Sequence, residues 1–249
     1  MPNVVLTIDC EGAHHDRCYT PKYIRVLEEE FVPASWLIHV SMKDPSANTN
    51  LYYREYAHKI PNWHELGMKV NFENERGHVE DPPERGNIIR IAKDTLKSHL
   101  IKCTSFRAGC FALLPSDIPY LEDIGILVDS SVVPDSTYKM FVDWTGAPHE
   151  PYHSDPQDLK KEGSNRILHI PVATHDGQYG YLDAGFDALV PLFEANLHRE
   201  VICLGMRDYN DCSEDLRKTI RYFRQRGAHF TTLTQAASEH YEHHEVLRA

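Results

Sequence analysis

The stretch Val4-Val5-Leu6-Thr7-Ile8-Asp9-Cys10-Glu11-Gly12 decides the fold. Val4, Val5, Leu6 and Ile8 form a near-continuous apolar run, as in strands of parallel sheets that are covered on both faces. Side chains two apart share a strand face, so Thr7, Asp9 and Glu11 lie together toward the C-terminal end. Cys10 falls on the other face, which argues against a nucleophilic role for it. Two carboxylates at the end of a buried strand need partners, because an unpaired buried charge is costly.

Outward from this strand, short apolar segments alternate with helix-length ones, which is the α/β signature. Strands are expected over residues 3–9, 35–40, 65–72, 102–106, 126–129, 166–172, 200–206 and 228–231. Helices are expected over 20–31, 84–100, 115–124, 186–199, 213–227 and 234–245. Thr20-Pro21 supplies an N-cap and a proline at the first helical position. Phe31 and Trp36 read as core residues. Residues 130–165 form a loop rich in Pro, Tyr, Asp and His, and a loop of that length in a compact domain is usually functional. Six or seven strand–helix units without a break in composition predict one domain over residues 1–249. Neither an internal repeat nor a Gly-x-Gly-x-x-Gly or phosphate-loop motif occurs.

The 249 residues suffice for one sizeable core, and 41% hydrophobic residues with 10% aromatics are those of a globular chain. A formal net charge of -11 argues against a nucleic-acid partner, which needs clustered Lys and Arg. The basic run at 221–226 reads as the solvated face of a helix. No stretch approaches the roughly 18 apolar residues of a membrane span. Met1-Pro2-Asn3 leads straight into the first strand, so no signal peptide is expected. The cysteines at 10, 18, 103, 110, 203 and 212 contain no Cys-x-x-Cys pair and read as reduced thiols, giving a cytoplasmic expectation.

Polar groups recur where other strands end. Lys69, Asn71 and Glu73 share a face, with Met68, Val70 and Phe72 on the opposite one. Gly205, Arg207 and Tyr209 line up in the same way, and Arg107 follows the strand ending at Phe106. One such residue is readily a solvated cap. Four strands repeating the pattern point to the C-terminal mouth of a barrel, where α/β barrels assemble their sites.

With these residues on the page, the chain resembles the NodB-homology polysaccharide deacetylases, carbohydrate esterase family 4. Leu6-Thr7-Ile8-Asp9-Cys10-Glu11-Gly12 looks like the first motif of that family, and Thr104-Ser105-Phe106-Arg107-Ala108-Gly109 resembles its Arg-containing third motif. Leu121-Glu122-Asp123-Ile124-Gly125 and Val128-Asp129-Ser130-Ser131 follow in family order, and Glu65-Leu66-Gly67 sits where the family has its metal-histidine strand. The likeness spans roughly residues 3 to 235. It implies a distorted (β/α) barrel of six to seven parallel strands and a metal-dependent hydrolase removing N-acyl groups from sugars. In that scheme Asp9 is the general base, Glu11 a metal carboxylate and Arg107 the partner that orients the base. It further implies work on a sugar or sugar nucleotide in the synthesis of a surface polysaccharide such as O-antigen.

The chain departs from that pattern at the metal. Relatives have histidines at the position of Lys69 and at that of Asn71 or Glu73, and a late histidine near Arg207. A protonated Lys offers a cation no lone pair, and Arg cannot act as an ordinary acid. Two readings follow. In one, Lys69 or Arg207 polarises the acyl carbonyl while Asp9 activates water, giving a metal-independent N-deacylase with Asp9, Glu11, Lys69, Arg107 and Arg207 at its centre. In the other, the barrel is a non-catalytic carbohydrate-binding or assembly protein whose cationic pair holds a carboxylate-bearing sugar.

Expected substrate contacts are Asn71, Glu73, Tyr209 and, from the long loop, Trp144 and Tyr152, since aromatic and polar groups together suit a sugar. Ordinary loop packing explains the last two as well. No cofactor is called outright; a zinc-type metal is conceivable only through Glu11 with His14 or His15. His240, His243 and His244 share one face of the last helix, and Cys110 is the better placed of the thiols.

Overall fold

The computed structural model describes residues 2–14, 17–40 and 53–246. In chain order these form β1 (Asn3–Cys10), α1 (Thr20–Glu29), β2 (Ser35–Val40), β3 (Glu65–Val70) and the small hairpin β4 (Glu73–Asn74) with β5 (Gly77–His78). Next come α2 (Pro82–Ser98), β6 (Ser105–Ala108), α3 (Ile118–Asp123), β7 (Val128–Asp129), β8 (Tyr152–His153) and β9 (Leu168–His169). A second hairpin, β10 (Thr174–His175) with β11 (Gln178–Tyr179), precedes α4 (Phe186–Asn196) and β12 (Val201–Arg207). The chain ends with α5 (Ser213–Gln225), β13 (His229–Thr231) and α6 (Leu233–Val246).

The main sheet runs β12-β1-β2-β3-β6-β7-β9-β8, with β13 pairing on β1. All its pairings are parallel except that of β8 with β9. The marginal strands β13 and β8 bring it to nine among the described residues, above the six or seven units counted in sequence. Every residue of β1 after Asn3 is buried, as its apolar run requires. Past β9 the chain crosses to the far margin, where Val172 bridges Cys203 and Tyr181 bridges Gly205 of β12. The sheet is open and curled, a distorted (β/α) barrel, and the C-terminal ends of β1, β3, β6 and β12 converge on one cavity.

Four local expectations need correction. Thr20 is not an N-cap: it lies in the first turn of α1, and its hydroxyl donates to Asp208 at 3.0 Å. The capped helix is α2, where Asp81 accepts from the Glu84 amide at 3.1 Å. Arg107 lies inside β6 rather than after a strand, because that strand starts at Ser105. Phe31 is 88% exposed, since the chain leaves α1 through a left-handed residue there (φ 51°) that turns the ring outward; Trp36 is fully buried. The basic run is more than a solvated face: Arg221 and Arg224, with Arg217, pair with Glu30 at the end of α1. Among the described residues no helix is long and apolar enough to cross a membrane.

Candidate functional site

Strand register builds the site. Asp9 of β1 lies beside Arg207 of β12, and Lys69 of β3 lies beside Arg107 of β6. Asp9 is almost wholly buried, and three donors occupy its two oxygens. Arg107 Nη1 reaches Oδ1 at 2.9 Å, while Tyr181 and Lys69 reach Oδ2 at 2.9 and 3.0 Å. The Lys69 ammonium also contacts Glu11, so it sits between both carboxylates. Arg107 is fully buried and spends its remaining donors on Thr7, the Ser130 carbonyl and the Ser130 hydroxyl. It is a fixed strut.

The charges set one another. Burial pushes the Asp9 carboxyl up, but Lys69, Arg107 and Arg207 together outweigh it and hold the group below the usual carboxylate range. Glu11 is lowered in the same manner, burial opposing and Lys69 prevailing. Burial works against the Lys69 ammonium, yet Asp9 and Glu11 raise its pKa above the ordinary lysine value. Asp9 is therefore ionised with little affinity for a proton, and Lys69 stays charged.

These groups open on a cavity of about 180 Å³ that Asp9, Glu11, Lys69, Asn71, Arg107, Arg207 and Tyr209 all line. Glu73 stands outside it, facing an adjoining depression, and the acid paired with Arg207 is Asp183 at 3.6 Å. Trp144 and Tyr152 are not brought to the cleft. Both are buried, with Trp144 Nε1 donating to the Phe111 carbonyl and the Tyr152 hydroxyl to the Leu159 carbonyl, because the long loop folds back onto the barrel.

Aromatic residues from elsewhere take their place. Phe111, Tyr138 and Tyr181 line the cavity, packed edge to face at 5.7 to 5.8 Å, and the Arg207 guanidinium lies 4.8 Å over the Tyr181 ring. Asp208 was also missed. Its buried carboxylate accepts the amides of Glu11 and Gly12 and the hydroxyls of Thr20 and Tyr56, fixing the turn that carries Glu11. Burial raises its pKa. Alternation in Gln178-Tyr179-Gly180-Tyr181 was the available signal for Tyr181; Asp208 carried none beyond its place after Arg207.

A second polar constellation lies away from the cleft. Asp129 contacts His169 Nδ1 at 2.8 Å, and His169 Nε2 contacts the Ser154 hydroxyl at 2.8 Å. All three are fully buried, so the serine has no route to a substrate; the chain ties β7, β8 and β9 together.

A divalent metal does not fit this donor set. Lys69 fills the space between the two carboxylates with a group that offers no lone pair, and no three His, Cys, Asp or Glu side chains converge among the described residues. The alternative ligands, the His14 side chain and His15, lie outside the described residues. At the other end His240 pairs with Glu200 at 2.8 Å and His243 is exposed, while the His244 side chain is also outside them.

No family profile matches this sequence, and no curated protein matches it. Solved structures do. A candidate polysaccharide deacetylase from Mycobacterium smegmatis superposes with a TM-score of 0.65 at 13% identity, over 98% of this chain and 91% of that one. The chain shares the fold of that structure, a distorted (β/α) barrel. A peptidoglycan N-acetylglucosamine deacetylase shares that fold (TM-score 0.53, 15% identity, 94% of this chain and 87% of that one). So does a CE4 family pseudoenzyme from Bacillus anthracis (TM-score 0.58, 12% identity, 94% and 64%), of which a mutant with restored enzymatic activity is also known. The same fold is thus found in an enzyme and in a pseudoenzyme.

Proposed function

We propose that this protein is a carbohydrate-binding relative of the deacetylases that does not hydrolyse, and that its cleft receives an N-acylated sugar or sugar nucleotide. The observation that supports this reading is the Lys69 ammonium seated between Asp9 and Glu11. It replaces metal chemistry with a closed ion pair and at the same time disables the base. A general base works best with a pKa near the working pH, whereas Asp9 is depressed and saturated with donors. The metal-independent deacylase reading would need Asp9 to take a proton from water against all three.

What remains suits binding: a wall of Phe111, Tyr138 and Tyr181, the carboxamide of Asn71, and Arg207 at the rim, 25% exposed in its side chain. Assembly or recognition of a surface polysaccharide such as O-antigen is the process into which such a protein fits. The test is paired. Purified protein is titrated with N-acetylhexosamines and their nucleotide diphosphate forms by saturation-transfer NMR, and acetate release is followed with and without zinc and chelator. Binding without acetate release is expected. Sustained acetate release from the wild-type chain overturns the reading.

A further inference from the structure

The charges that line the cavity do not balance. Two carboxylates, Asp9 and Glu11, stand there with three cations, Lys69, Arg107 and Arg207. Lys69 is spent on both carboxylates and Arg107 on Asp9, so those four groups close on one another. Arg207 is the cation beyond that set, and the acid beside it, Asp183, does not line the cavity.

The Arg207–Asp183 contact is loose. Nη1 lies 3.6 Å from Oδ1, longer than a hydrogen bond. That oxygen already accepts from the Asn210 amide, and Oδ2 is buried with no hydrogen-bond partner among the described residues. An arginine matched to a carboxylate makes two parallel N–H···O bonds, and here it makes neither. The guanidinium is nonetheless fixed: it lies 4.8 Å over the Tyr181 ring and donates to the Tyr179 hydroxyl. A positioned, partly exposed fork without a bidentate acid is suited to receive an anion from a ligand. The cavity, at about 180 Å³, is smaller than the roughly 300–1,000 Å³ of ordinary ligand sites. An anion that reaches Arg207 therefore sits on the bound ring or on its first substituent.

We infer that the cleft selects an anionic N-acylated sugar, whose carboxylate or phosphate is held by the Arg207 guanidinium. This rests on the carbohydrate-binding reading above and narrows it from N-acylated sugars in general to those that carry a negative charge.

The experiment titrates wild type, Arg207→Gln, Arg207→Lys and Asp183→Asn by calorimetry with N-acetylglucosamine, N-acetylglucosaminuronic acid and N-acetylglucosamine 1-phosphate. Wild type is expected to bind an acidic sugar about tenfold tighter than the neutral one, as one charge-assisted contact gives. Which acid gains tells a carboxylate site from a phosphate site. Arg207→Gln abolishes the preference, Arg207→Lys keeps part of it, and Asp183→Asn, which removes the competing acid, raises it. Equal affinities of wild type for all three sugars, or a preference that survives Arg207→Gln, overturn the anion site while leaving the carbohydrate reading in place. Binding of none of the three to wild type overturns both.

Discussion

Lys69 Nζ lies 3.0 Å from Asp9 Oδ2, and the same ammonium reaches Glu11. One lysine thus bridges the two carboxylates at the C-terminal end of β1, with its own side chain 6% exposed. Breaking a buried pair from one side leaves an uncompensated charge. Lys69→Met is expected to destabilise the fold by about 3–5 kcal/mol in urea denaturation. Adding Glu11→Gln to Lys69→Met should recover part of that loss, giving a coupling energy in the double-mutant cycle. Additive effects of the two changes would show that the contact does not organise the site.

The same pair predicts a pH profile. Asp9 and Glu11 are depressed in the fold, so their contribution is complete above the unfolded values of about 3.9 and 4.3 and is lost as pH falls through the folded ones. Lys69 is raised, so its share is full below about 10.4 and is lost as pH rises through its folded value. Asp208, raised by burial, acts the other way in acid and blunts the effect. Urea midpoints should hold a plateau from about pH 5 to 10 and fall below about pH 4. The acid limb should be shallower in the Glu11→Gln, Lys69→Met double variant, and limbs of equal steepness would refute the assignment.

Tyr181 reaches Asp9 through a space that Gly205 leaves open. A β-carbon on Gly205 would meet the Tyr181 ring at 2.3 Å. Gly205→Ala should therefore cost about 1–3 kcal/mol by overpacking. Tyr181→Phe, which deletes only the hydroxyl donating to a buried carboxylate, should cost roughly 1.5–3 kcal/mol. Thermal and urea midpoints of both variants check this; a neutral Tyr181→Phe would mean that the hydroxyl is dispensable.

Ser154, His169 and Asp129 have the contact order of a hydrolase triad, yet a serine-directed fluorophosphonate should leave native Ser154 unlabelled, because all three residues are fully buried. Ser154→Ala should lower stability by about 1–3 kcal/mol by leaving buried polar partners unsatisfied, with sugar binding unchanged. Labelling of the folded protein, read by mass spectrometry, would contradict the structural role.

The metal position itself can be rebuilt. Lys69→His with Asn71→His places two imidazoles on the cleft face of the β3 segment beside Glu11 and frees both carboxylates. Stoichiometric zinc after dialysis is expected for the variant and not for wild type, measured by elemental analysis. A variant that stays metal-free would show that more than these two side chains was lost.

Much of this was legible in the primary structure. The period-two pattern put Asp9 and Glu11 on one face at the end of β1, Lys69 and Asn71 on one face of the β3 segment, and Arg207 and Tyr209 at the end of β12, and all of these line the cavity. Pattern works there because a strand covered on both faces leaves its polar side chains few places to go. It failed at Phe31, where a left-handed turn reversed the side chain, and at Trp144 and Tyr152, which composition placed in a cleft and the loop's own folding placed in the core.

Strand content, the faces and the carboxylates that demand partners follow from the residue order, since those depend on neighbours two to four residues away. Only the tertiary structure decided which partners they found. Lys69, Arg107 and Tyr181 come to Asp9 from 60, 98 and 172 residues along the chain. The isolated bridge between Tyr181 and Gly205 is what brings the last of them in. A charge buried at a strand end fixes that it must be paired, but sheet order and register, which are non-local, fix by what.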